Sequence, residues 1–118
     1  MINHLENYGE VLTKEVGDDN LIELTDRELS DSEIYIRDMT QITLSDVAVA
    51  EVSIPSFGVG YELRCIEELK KKHLLLYGNN SQKRLSPMIA GNKFFNIRNY
   101  KNLEEAFSYI DNFMKNLK

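Results

Sequence analysis

"VAVAEVSIPSFGVGYEL", residues 47–63, decides how this chain folds. The segment "VAVAEVS" reads as a strand without polar alternation, as expected when a strand is covered on both faces in a parallel sheet. Pro55, Ser56, Gly58 and Gly60 then mark a turn, and Val59, Leu63, Ile66 and Leu69 recur inward at helical spacing over a helix at about 59–71. A strand that turns directly into a helix opens a parallel crossover, and such sheets bind ligands at the carboxyl ends of their strands. The quoted turn is therefore the first place to look for a site.

Working outward, helical and strand periods alternate along the whole chain, with no repeat or low-complexity segment. Met1, Ile2, Leu5 and Tyr8 mark one face of an opening helix that Gly9 ends, and "EVLT" follows as a short strand. Residues 17–28 read as a polar loop. Ser30 and Glu33 have the spacing of a capping box ahead of a helix carrying Ile34, Asp38 and Ile42. Beyond the quoted stretch come the strand "HLLLY", a short helix at 85–90, a strand near "KFFNI", and a last helix that buries Leu103, Phe107, Ile110, Met114 and Leu117.

The chain has 118 residues, 42% of them hydrophobic, which suits a single domain spanning 1–118 with a real core. Nineteen Asp and Glu against fourteen Lys and Arg give a net charge of −5, which argues against a general nucleic-acid binder but leaves room for a local anion site. The single cysteine, Cys65, cannot form an internal disulfide, and neither a signal peptide nor a run of about eighteen apolar residues is present. The expected setting is cytoplasmic, or nuclear in a eukaryote, with no membrane partner.

Chemistry gathers around two carboxylates. Gly58 and Gly60 permit close backbone approach, Ser56 offers a hydroxyl, and the N–H groups at the helix start favour an anion. Glu62 reads as a first-turn carboxylate kept ionised by the helix dipole, which suits a nucleophile. Asp38 interrupts the apolar stripe between Ile34 and Ile42, so a second carboxylate faces inward and needs a partner or a task. A structural cap, or an ion pair with Arg37 or Arg64, is the structural alternative. Two carboxylates beside an anion site fit displacement at a sugar carbon, one attacking and one handling protons.

His4 and His73 have no cysteine or carboxylate at ligand spacing, so they do not form a metal site. Lys70, Lys71 and Lys72 read as the solvated end of a helix, Cys65 as a packing residue, and Tyr61, Tyr77, Phe94 and Phe95 as core.

"SDVAVAEVSIPSFGVGYEL", with Asp38 before it and "RLSPMIAG" after it, resembles the 2'-deoxynucleoside 5'-phosphate N-hydrolase family of the nucleoside 2-deoxyribosyltransferase-like superfamily. The likeness runs from about Tyr8 to the C-terminus and is most specific in "PSFGVGYEL". It implies a three-layer α/β/α sandwich on a parallel flavodoxin/Rossmann-like sheet, and hydrolysis of the N-glycosidic bond of deoxynucleoside monophosphates through a covalent glycosyl-enzyme. By the same resemblance Glu62 corresponds to the nucleophile and Asp38 to the acid that assists departure of the base. Ser56 and Gly58 correspond to phosphate-loop residues, Met88 lies near the base and Ile34 lines the pocket. Ser86 corresponds to a serine that reaches the phosphate in the neighbouring subunit of a homodimer. No metal or other cofactor is implied.

The sequence departs from that pattern in three places. Arg64 replaces the glycine that follows "GYEL" in the family, and Glu15 stands where some members carry histidine. The family's opening strand and its Gly-Ser-Ile-Arg-Gly-Gly-Arg-like phosphate loop have no counterpart here. The sheet is therefore expected to lack its first strand, and phosphate binding to be weak. Two rival readings follow: a base-exchanging deoxyribosyltransferase, against which Ser56 and Ser86 argue, and a degenerate nucleotide-binding subunit without catalysis.

Overall fold

The computed structural model describes residues 1–9, 29–79 and 84–117. These divide into two compact units, Met1–Ser45 and Asp46–Lys118. The expected strand "EVLT" and the loop at 17–28 lie outside the described residues.

In the first unit, helix α1 is a single turn, Ile2–Leu5, which begins without any side-chain cap. Tyr8 lies beyond it, 44% exposed, with its ring edge towards His4. Helix α2 spans Asp31–Leu44. Its start follows from the expected capping box: the Ser30 hydroxyl accepts from the Glu33 N–H, and the Glu33 carboxylate accepts from the Ser30 N–H. The Ser30 N–H, and after it the Ser30 side chain, hold the Glu33 carboxyl below its usual range. Ile34, Asp38 and Ile42 share one half-buried face, while Ile36 and Leu44 are exposed.

The second unit is a parallel α/β arrangement. Strand β1 is Val47–Glu51, helix α3 Phe57–Glu68, strand β2 Lys72–Gly78, helix α4 Pro87–Ala90, strand β3 Ile97–Tyr100 and helix α5 Leu103–Lys115. The sheet order is β1-β2-β3, with Val47 opposite Lys72 and Gly78 opposite Tyr100. Because β2 is the middle strand of these three, His73, Leu74, Leu75 and Leu76 are all buried, which explains the unbroken run of three leucines. Burying each of the three leucines stabilises the fold by about 2 kcal/mol. Helix α5 packs on β2 and β3 and contributes Ala106 and Ile110 to the core, while Leu103 at its start is exposed. Helices joining parallel strands are the Rossmann-like pattern the sequence pointed to.

Three local expectations change. The strand placed near "KFFNI" begins only at Ile97, because the Asn92 side chain accepts from the Phe94 N–H and its carbonyl from the Phe95 N–H, folding that stretch into a turn. Phe94 then stacks on the His73 ring and Phe95 meets it edge-on. Helix α3 starts two residues earlier than expected and stops at Glu68, so Leu69 is its exposed cap rather than an inward residue. The cap is a Schellman motif: the Lys70 N–H bonds the Glu67 carbonyl, the Lys71 N–H bonds the Ile66 carbonyl, and Lys70 takes a φ of 52°. Tyr61 is 57% exposed, not a core residue.

Candidate active site

The carboxyl ends of the three strands are tied together by polar side chains. The Ser53 hydroxyl accepts from the Gly78 N–H at 2.7 Å, and the Ser53 N–H donates to the Glu51 carboxylate at 2.5 Å. Tyr100, at the end of β3, donates its hydroxyl to the other oxygen of Glu51, at the end of β1. Partial burial and the adjoining Glu51 carboxylate push the Tyr100 hydroxyl above its ordinary pKa. The bridge passes Gly78, where a Cβ would stand 3.1 Å from the Ser53 hydroxyl and 3.4 Å from that of Tyr100. Sequence reasoning missed this cluster. Its one local signal is an acid, Glu51, closing an otherwise apolar strand.

From this braced edge the chain enters the Pro55–Ser56 turn. Ser56 is the N-cap of α3, and its hydroxyl accepts from the Val59 N–H at 3.2 Å. Neither Gly58 nor Gly60 has a positive φ. A Cβ on Gly58 would meet only ordinary contact, 3.8 Å from the Ser56 hydroxyl, and one on Gly60 would meet nothing within 4 Å among the described residues. Packing and backbone geometry thus leave both glycines unexplained, while each costs a helix roughly 0.5–1 kcal/mol relative to alanine. Close approach of another molecule is a reason that survives.

Glu62 is half-buried on the same helix. Since α3 begins at Phe57, Glu62 lies in the second turn, and no acid occupies the first. The helix dipole fades within a turn, so it supports the Glu62 charge less than its expected first-turn position would.

Ser86 and Met88 lie on the next crossover. Ser86 caps α4 by accepting from the Met88 N–H at 3.2 Å, with Pro87 following it, and the Met88 side chain is exposed. Ile34 and Asp38 belong to α2 in the other unit, one helical turn apart. The Asp38 carboxylate accepts from the Arg37 guanidinium at 3.0 Å, which is one of the two ion pairs weighed from sequence. Arg64 instead pairs with Glu67 and Glu68. Thus Ser56, Gly58 and Glu62 share one segment, Ser86 and Met88 share the next crossover, and Ile34 with Asp38 stand on a separate unit. Among the described residues no group of three His, Cys, Asp or Glu is placed to hold a metal ion, and no helix is long and apolar enough to cross a membrane.

No family profile matches the chain. Individual proteins do. An Esox lucius protein named 5-hydroxymethyl-dUMP N-hydrolase is 38% identical over 122 residues, covering 99% of this chain and 83% of the relative. A Danio rerio protein of the same name is 37% identical, again over 99% of this chain and 83% of the relative. A Nematostella vectensis protein, provisionally named 2'-deoxynucleoside 5'-phosphate N-hydrolase 1, is 43% identical over 124 residues, with 99% and 82% covered.

Proposed function

The chain belongs to the 2'-deoxynucleoside 5'-phosphate N-hydrolase family, and from that premise we infer that it cleaves the N-glycosidic bond of 2'-deoxynucleoside 5'-monophosphates, releasing free base and deoxyribose 5-phosphate. The observation that carries the reading to this chain's own residues is the run from Ser56 to Glu62. There, a capping hydroxyl, a glycine with no packing duty and a half-buried carboxylate follow one another at the carboxyl edge of a parallel sheet.

In the mechanism we propose, the Glu62 carboxylate attacks the anomeric carbon as the bond to the base breaks, giving a glycosyl ester. Asp38 donates a proton to the departing base and then accepts one from the water that hydrolyses the ester. Ser56 and the Gly58 N–H hold the 5'-phosphate, Met88 lies against the base and Ile34 lines the pocket. The Arg37 guanidinium bonds the Asp38 carboxylate, a contact that would orient it in this role.

The protein works as a homodimer in this reading, with Ser86 reaching the neighbouring site. The exposed apolar side chains of Ile54, Phe57 and Tyr61 support it, because Phe57 and Tyr61 lie one turn apart on α3 and present a surface a second copy would cover. A reducing cellular compartment suits the single cysteine, Cys65.

The test is release of free base from 5-hydroxymethyl-dUMP by the purified chain. Glu62→Gln keeps shape but removes the attacking charge, so release should cease while nucleotide binding persists. Near-normal turnover in that variant would remove Glu62 from the chemistry. Mixing inactive Glu62→Gln chains with inactive Ser86→Ala chains should restore part of the activity if Ser86 serves the neighbouring site. No recovery after proven subunit exchange would place Ser86 elsewhere.

A further inference from the structure

At the opposite end of the second unit, where the strands begin, lies a cavity of about 580 Å³. Its size falls within the usual range for small-molecule sites, roughly 300–1,000 Å³. Among the described residues four cations line it, Lys70, Lys71, Lys72 and Arg98, and no Asp or Glu does. In a chain where acids outnumber bases by nineteen to fourteen, that separation of charge is a property of the place and not of the composition.

A helix end accounts for part of the group, since the lysines follow the last turn of α3, and Lys72 already donates to the Leu117 carbonyl at 2.9 Å. Arg98 has no such reason, because it comes from β3 and still faces the same space. The wall is not a plain electrostatic patch either. Phe94, Tyr109 and Phe113 give it flat apolar surface, and the carboxamides of Asn112 and Asn116 add groups that both donate and accept hydrogen bonds.

We propose that this cavity is a second ligand site, separate from the edge that carries Glu62, and that it takes a small aromatic phosphate of the mononucleotide class. The aromatic wall receives the ring, the carboxamides meet its polar edge and the cations hold the phosphate. A simple anion would leave the aromatic wall unused, and an apolar ligand would sit against charges it cannot complement. The proposal does not depend on the chemistry assigned to Glu62.

AMP is the probe, added to the full chain labelled with nitrogen-15 while backbone amide signals are followed. Saturable shifts are expected at Asn96, Arg98, Asn112 and Asn116, whatever happens at Gly58 and Glu62. Lys70→Glu combined with Arg98→Glu should weaken the shifts at the strand-start end by more than about tenfold. It should leave those at Gly58 and Glu62 unchanged. Lys70→Gln combined with Arg98→Gln, which removes charge without reversing it, should weaken binding by less and provides a folded control. Three results would each overturn the proposal: shifts confined to the Glu62 edge, shifts at the strand-start end indifferent to charge reversal, or inorganic phosphate binding there as tightly as AMP.

Discussion

The Tyr100 hydroxyl donates to the Glu51 carboxylate from the far side of β2, so that the last residues of β3 and β1 are joined over a strand that separates them. Gly78 makes the crossing possible by having no side chain at the point where the bridge passes. This brace sets the edge from which the Ser56 turn departs.

Loss of the hydroxyl in Tyr100→Phe should cost about 1 kcal/mol of stability, the ordinary worth of one hydrogen bond. The pH dependence has a definite sign. Tyr100 has a raised folded pKa, so its contribution is fully present below the unfolded value of 10.0 and is lost as pH rises through the higher folded value. Tyrosinate absorbance should show one late-titrating group in the parent chain that is missing in Tyr100→Phe. Equal alkaline sensitivity of both proteins would mean that the bridge contributes nothing.

Gly78→Ala should destabilise the second unit by about 1–2 kcal/mol, because the new methyl group must displace the Ser53 hydroxyl, Tyr100 or both. Chemical denaturation measures this. Combining it with Tyr100→Phe should cost less than the sum of the two single changes, since the two share one contact.

Gly58→Ala should separate stability from binding. With room for a Cβ and no positive φ, the helix should gain about 0.5–1 kcal/mol. Affinity for a deoxynucleoside monophosphate should fall if the phosphate approaches this backbone. A variant that is both more stable and equally tight-binding would show that nothing needs the glycine.

Lys70→Gly should stabilise the fold by about 1 kcal/mol, because a lysine at a φ of 52° bears the left-handed strain that glycine avoids. Lys70→Ala, with its Cβ kept, should not. The comparison of melting temperatures distinguishes backbone strain from loss of the lysine charge.

Legibility in the sequence followed locality. The capping box of α2, the apolar run of β2 and the Ser56 turn rest on residues close together in the chain, and each stands where the spacing placed it. The start of β3 did not, since Phe94 and Phe95 look like strand residues until the Asn92 turn and the His73 ring claim them. The Glu51 bridge could not be read at all, because it needs the register of two strand pairs that only the folded sheet fixes. Tyr61 and Leu69 fit an apolar pattern on α3 but fall outside its buried stripe, which holds Leu63 and Ile66. Glu62 missed its expected turn because Phe57 and Gly58 already belong to the helix.

The spatial order β1-β2-β3 is also the order of synthesis. Among the described strands, β2 and β3 therefore each leave a ribosome with a neighbour already made, and neither has to insert between two that have paired. The exception is the last helix. Ala106 and Ile110 are wholly enclosed, so the core of this unit is sealed only when α5 arrives. Until then the emerging sheet has leucine surface still uncovered, and the interval between the release of β3 and the docking of α5 is when a nascent chain most needs protection from aggregation.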